Sequence, residues 1–124
     1  MTKTVLAVDD NKTFLEMYGR MITRKYHDFF GTQNPLDALE RLRKSMTIDL
    51  LITDLNMPHL TGDQLISQFH LSSPSTKYLL VTARDSETVN PILERLRSEG
   101  IQVTYLQKPS SLTEISSAVD SLIG

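Results

Sequence analysis

Apolar residues in this chain fall into two alternating patterns. Thr4-Val5-Leu6-Ala7-Val8, Leu50-Leu51-Ile52-Thr53, Tyr78-Leu79-Leu80-Val81-Thr82 and Val103-Thr104-Tyr105-Leu106 are short runs with little polar alternation, too short for stable helices. They predict strands buried on both faces. A weaker strand signal spans His27 to Thr32, carried by Phe29 and Phe30, and suits a sheet edge. Between these runs the apolar positions recur at three- and four-residue spacing, which is the signature of a helix with one buried face. Phe14, Tyr18, Met21 and Ile22, with Leu15 and Met17 alongside, make the first such stripe. Leu36, Leu39 and Leu42 make the second, and Leu65, Ile66 and Phe69 the third. Val89, Ile92, Leu93 and Leu96 follow, then Ile115, Val119 and Leu122.

Punctuation agrees with this division. Asn34-Pro35 reads as an N-cap followed by proline at the first helical position, and Ser111-Leu112-Thr113-Glu114 has capping-box spacing. Ser72-Ser73-Pro74-Ser75 ends the third helix and Gly100 the fourth. Pro91 lies inside the fourth stripe. Because proline disfavours helical geometry in the residue before it, the firm helix is expected to begin near Asn90-Pro91 behind a loose turn.

Strands that alternate with helices pair in parallel through helical crossovers, and right-handed crossovers put helices on both sheet faces. The expected fold is therefore α/β: a flavodoxin-like (βα)5 doubly wound three-layer sandwich with a five-stranded parallel sheet in the order 2-1-3-4-5. The 124 residues suit one domain, 1-124. The absence of cysteine excludes thiol catalysis, disulfides and thiolate metal sites. A formal net charge of -2 argues against a nucleic-acid surface. No apolar run approaches the ~20 residues needed to span a bilayer, and the N-terminus lacks the apolar core of a signal peptide, so a cytoplasmic location is expected.

The chemistry collects at one end of each strand. Asp9 and Asp10 follow the first, Asp54 the third, Thr82 closes the fourth, and Lys108 lies just past the fifth. In a parallel sheet these ends point the same way, toward the edge where open α/β sheets bind ligands. Converging carboxylates repel one another, and a hard divalent cation such as Mg²⁺ resolves the conflict through oxygen ligands. Thr82 and Lys108 are suited to hold an incoming anion, above all a phosphoryl group.

In this combination, Asp9-Asp10, Asp54-Leu55-Asn56-Met57-Pro58, Thr82-Ala83 and Lys108-Pro109, the chain resembles the receiver domains of bacterial two-component response regulators (CheY-like) over essentially its whole length. The resemblance implies that Asp54 accepts a phosphoryl group from a phosphohistidine on a sensor histidine kinase or histidine phosphotransfer protein, or from a small phosphodonor. It implies Mg²⁺, with Mn²⁺ as a substitute, bound by Asp10, Asp54 and the backbone carbonyl of Asn56, with Asp9 acting through water. Thr82, the Ala83 N–H, Lys108 and Asn56 would contact the phosphoryl group. Lys108-Pro109 is expected to be cis. Tyr105 matches the family's switch aromatic, turning inward when Thr82 moves. Arg84, at a variable position, is expected with Asn56 to tune dephosphorylation. The fold uses all five units, so any output domain is expected outside this chain, and the partner is a downstream protein or that domain. Neither a nucleic acid nor a membrane is expected as a partner.

Two other readings are open. An aspartate-based phosphatase or phosphotransferase typically carries Asp-x-Asp after its first strand, where this chain has adjacent Asp9-Asp10 before Asn11. A receiver-like interaction module that is never phosphorylated has no need of Asp54 and Lys108. His27, His59 and His70 lack metal-ligand spacing and are expected at the surface or in loops.

Overall fold

The computed structural model describes residues 2–44 and 47–124. Five strands, β1 (Thr4–Val8), β2 (Asp28–Thr32), β3 (Leu50–Thr53), β4 (Lys77–Thr82) and β5 (Val103–Gln107), alternate with five helices, α1 (Lys12–Arg24), α2 (Pro35–Arg43), α3 (Gly62–Ser72), α4 (Ser86–Ser98) and α5 (Leu112–Ile123). The strands form one parallel sheet in the order β2-β1-β3-β4-β5.

Strand periodicity decides which helix each side chain meets. Val5, Ala7, Leu50, Ile52, Leu79 and Val81 face one side and pack with Leu15, Tyr18, Met21 and Ile22 of α1 and Ile115 and Val119 of α5. Their neighbours Leu6, Val8, Leu51 and Tyr78 face the other side, against Ala38 of α2, Leu65, Ile66 and Phe69 of α3, and Leu96 of α4. Every residue of β3 is buried. This two-sided burial is why the central runs have no polar alternation, and why β2 at the edge, where no residue is fully buried, gave the weak signal.

The fourth helix departs from expectation. It runs unbroken from Ser86, with Pro91 inside it, rather than beginning near Asn90-Pro91. Proline there removes one backbone hydrogen bond, at a cost of roughly 3 kcal/mol in a helix interior. Offsetting this, the Asp85 side chain accepts from the Thr88 N–H at 3.0 Å, the Asp85 carbonyl accepts from the Val89 N–H at 3.0 Å, and Val89 is buried with Leu55 and Leu80. Cap and burial fix the turn before the proline. At the other end, Gly100 (φ 81°) donates to the Arg97 carbonyl and Ile101 to that of Leu96, a Schellman closure that needs the left-handed residue glycine supplies.

Helix α1 ends in a similar closure without glycine. Tyr26 takes φ 63° there, donates to the Thr23 carbonyl at 3.0 Å, and leaves its ring 87% exposed. A Cβ in this region costs roughly 1–2 kcal/mol, and the exposed ring recovers little of it. Tyr26→Gly is therefore expected to raise stability by about 1 kcal/mol after the entropy of glycine in the unfolded chain is counted, read as a higher urea midpoint at unchanged slope.

Candidate functional site

The site is assembled by register. Val8 of β1 lies opposite Thr53 of β3, so Asp9 and Asp54 leave the sheet side by side. Both are held by ladder bonds that run one residue beyond the strands: the Asp54 N–H donates to the Val8 carbonyl at 3.1 Å, and the Asp9 N–H to the Thr32 carbonyl at 3.2 Å. Asp10 follows on the exposed side, its carbonyl accepting from the Gln33 side chain at 3.0 Å. One carboxylate oxygen from each of Asp9, Asp10 and Asp54 lies within 4.8 Å of the others. Oxygen-only donors from separate chain positions, packed this closely, fit a hard divalent cation and offer nothing to a soft one.

Lys108 reaches into this cluster from beyond β5. Its backbone N–H donates to the Thr82 carbonyl at 2.8 Å, and its bond to Pro109 is cis. The ammonium donates to Asp9 Oδ2 at 2.8 Å and to Asp54 Oδ2 at 3.1 Å. The side chains of Lys108, Asp9 and Asp54 are 12%, 1% and 13% exposed, so water screens these ion pairs only weakly. Burial raises the Asp9 carboxyl above its usual range, and the Asp54 charge adds to this. The Lys108 ammonium and the Asn11 N–H, 2.9 Å from Asp9 Oδ1, work in the opposite direction without cancelling it. For Lys108 the largest single influence is burial, which disfavours the cation; hydrogen bonds and charges from Asp9 and Asp54 together outweigh it, and the ammonium is held more firmly than an ordinary lysine. Three carboxylates against one ammonium leave the cluster formally at -2, a surplus that a divalent cation would neutralise.

The loop behind Asp54 is shaped by a contact that the sequence alone does not reveal. A Cβ on Gly62 would come within 2.1 Å of the Asp54 carbonyl oxygen. Only glycine lets α3 start this close to the Asp54 peptide, where its N–H donates to the Leu55 carbonyl at 2.9 Å. Asp54 Oδ1 accepts from the Leu55 N–H at 2.6 Å, and the Thr53 hydroxyl donates to the Asp54 carbonyl at 2.8 Å, so carboxylate and peptide are both oriented.

On the other flank, Thr82 is 1% exposed and its hydroxyl accepts from the Arg84 N–H at 3.3 Å. Thr53 pairs with Leu80, which puts Thr82 one residue further along the sheet edge than Asp54. Tyr105 packs beside Leu55, Leu80 and Val89, and its hydroxyl donates to the Arg84 carbonyl. The Arg84 backbone thus ties Thr82 and Tyr105 together through its N–H on one side and its carbonyl on the other. Asn56, Ala83 and Arg84 are exposed.

A sequence profile described as the response regulator receiver domain matches residues 5–120. The chain belongs to this family. Its relatives include the polar-differentiation response regulator DivK of Brucella ovis, 24% identical over 124 residues, spanning 100% of this chain and 98% of that protein. Among solved structures, the chemotaxis response regulator CheY4 of Vibrio cholerae shares the fold at a TM-score of 0.86 and 21% identity, over 99% of this chain and 100% of that one. A response regulator receiver domain protein of Clostridium thermocellum does so at a TM-score of 0.81 and 22% identity, over 98% and 94%.

Of the receiver residues expected from sequence, Asp9, Asp10, Asp54 and Lys108 meet in one cluster. Thr82 is tied to it by its carbonyl, which accepts from the Lys108 N–H; Ala83, Asn56 and Arg84 are exposed, and Tyr105 bonds the Arg84 carbonyl. His27 and His59 lie in connecting segments, while His70 is half-buried within α3 rather than at the surface or in a loop, because the helix continues to Ser72. Gly62→Ala is expected to cost stability at the upper end of the 1–3 kcal/mol typical of overpacking, about 3 kcal/mol, and to displace Asp54. Chemical denaturation checks the first, and the backbone amide shifts of Asp54 and Leu55 the second.

Proposed function

We propose that this receiver is a phosphorylation switch in which Asp54 accepts a phosphoryl group from the phosphohistidine of a sensor histidine kinase or phosphotransfer protein. The observation that carries this reading is the shared ammonium: Lys108 bonds Asp9 and Asp54 at once, all three side chains largely buried at the carboxyl edge of the sheet. A lysine fixed beside a nucleophilic carboxylate is placed to meet the charge that spreads over a transferring phosphoryl group.

In the proposed transfer, an Asp54 carboxylate oxygen bonds to phosphorus as the bond from phosphorus to the donor imidazole nitrogen breaks. The electron pair stays on that nitrogen, which takes up a proton. Lys108, the Thr82 hydroxyl and the Ala83 N–H bind the phosphoryl oxygens, and Asn56 borders them. Mg²⁺, or Mn²⁺ in its place, held by Asp9, Asp10, Asp54 and the Asn56 backbone carbonyl, would supply positive charge that offsets carboxylate repulsion and favours phosphoryl binding. Hydrolysis reverses the state: water attacks phosphorus, inorganic phosphate leaves, and Asp54 is regenerated.

The switch follows from the Arg84 backbone. If the Thr82 hydroxyl turns toward the phosphoryl group, the Arg84 N–H loses its acceptor and the segment carrying the Tyr105 contact shifts with it. The phosphoryl group biases two arrangements already accessible to the chain. The output is a downstream protein or a linked output domain. A cytoplasmic setting is proposed from the family, and no helix among the described residues is long and apolar enough to cross a membrane.

Incubation with Mg²⁺ and acetyl phosphate is expected to add the mass of one phosphoryl group, with no addition in Asp54→Ala or in excess chelator. Turnover of an unrelated phosphoester would instead support a phosphatase, and inertness toward both this donor and a phosphohistidine protein an interaction module. Arg84→Ala is expected to change the rate at which the adduct is lost, followed by mass after donor removal; loss at the parental rate would remove Arg84 from the account.

A further inference from the structure

Lys108 has a third partner that is not a carboxylate. Its Nζ lies 3.9 Å from the centroid of the Phe14 ring, within cation–π range. The ring is itself braced. Tyr18, one turn further along α1, stands with its centroid 6.3 Å from that of Phe14 and the two planes tilted by 33°. Tyr18 is only 1% exposed and sits in the core cluster against which Phe14 packs. Core packing therefore places Tyr18, Tyr18 supports Phe14, and Phe14 presents an aromatic face to the ammonium.

The three partners of Lys108 differ in what happens to them when the site is used. The Asp9 and Asp54 carboxylates are the groups a divalent cation would engage, and Asp54 is the group that would be phosphorylated. Metal binding draws carboxylate charge away from Lys108, whereas phosphorylation would give the ammonium phosphoryl oxygens as new partners. The ring is unaffected by either. A lysine stem has four carbons and carries ~2 kcal/mol of rotamer entropy, so an ammonium that loses its carboxylates is free to swing toward water. A fixed aromatic face opposes that swing in every state of the site, and most where little solvent competes.

We propose that Phe14 is a positioning residue, whose ring face holds the Lys108 ammonium beside Asp54 while a metal ion engages the carboxylates and before phosphoryl oxygens become its partners. The inference rests on the phosphoacceptor reading of Asp54 for its functional consequence, but the placement of Lys108 can be observed without any phosphoryl transfer. Sequence reading assigns Phe14 only to the buried stripe of α1; nothing in helical periodicity connects it with a residue 94 positions away.

The test combines two readouts on the full chain. The Lys108 Cε is one bond from the Nζ that lies over the ring, so in ¹³C-lysine-labelled protein its proton resonance is expected upfield of ordinary lysine, with and without Mg²⁺. It should return to the ordinary position in Phe14→Leu, which keeps an apolar side chain and loses the π face, and remain shifted in Phe14→Tyr. The initial rate of phosphoryl uptake from acetyl phosphate at saturating Mg²⁺ is expected to fall about three- to tenfold in Phe14→Leu, as loss of a contact of about 0.6–1.4 kcal/mol would give, and to recover in Phe14→Tyr. Should Phe14→Leu fold poorly, Phe14→pentafluorophenylalanine preserves the ring's shape and reverses the charge of its face, and the same fall in rate is expected. Parental uptake in either π-deficient variant overturns the proposal, as does a Lys108 resonance that is unshifted in the parent once Mg²⁺ is added. A parent with a ring-shifted Lys108 and no phosphoryl uptake supports the placement and defeats the phosphoacceptor reading instead.

Discussion

The structure depends on one imbalance of charge. Parallel strands that end together bring a carboxylate oxygen of each of Asp9, Asp10 and Asp54 within 4.8 Å of the others, and a single ammonium, Lys108, stands against them. Burial pushes the Asp9 carboxyl toward protonation, and the neighbouring Asp54 charge adds to it. Lys108 relieves part of this by bonding two of the three. The part it does not relieve is what the proposed function draws on: surplus negative charge that would attract a divalent cation.

The rest of the fold keeps that imbalance in place. Registering Val8 with Thr53 puts Asp9 beside Asp54, and burial of β3 on both faces makes any slip of that register prohibitive. Lys108 is fixed from both ends, by its backbone bond to Thr82 and by the Phe14 ring under its ammonium. The close approach of Gly62 to the Asp54 carbonyl makes the start of α3 one wall of the site. Through Arg84, whose backbone holds both Thr82 and Tyr105, the opposite wall connects the cluster to the β5 surface.

How much of this was legible in the sequence follows a physical division. Strands buried on both faces leave unbroken apolar runs, helices leave a three- and four-residue stripe, and caps leave Asn, Ser and Gly at their ends, so the element order and the parallel sheet could be read directly. The carboxylates and Lys108 could be read as well, because a parallel sheet converts positions at strand ends into neighbours. Close approaches could not. Gly62 looks like any glycine near a turn until the Asp54 carbonyl is found against it, and Phe14 looks like any core aromatic until a lysine from the far end of the chain lies over its face. The start of α4 was misplaced for a related reason. The proline rule is local, whereas burial of Val89 against Leu55 and Leu80 is tertiary, and the tertiary term prevails.

That Asp54, and neither of its two acidic neighbours, is the nucleophile is the central claim, and it can be tested at the level of the bond. Borohydride reduces an aspartyl phosphate to homoserine and leaves free aspartate untouched. After incubation with Mg²⁺ and acetyl phosphate, reduction and tandem mass spectrometry of the peptides should place homoserine at position 54 alone. Homoserine at position 9 or 10, or at none of the three, would contradict the account.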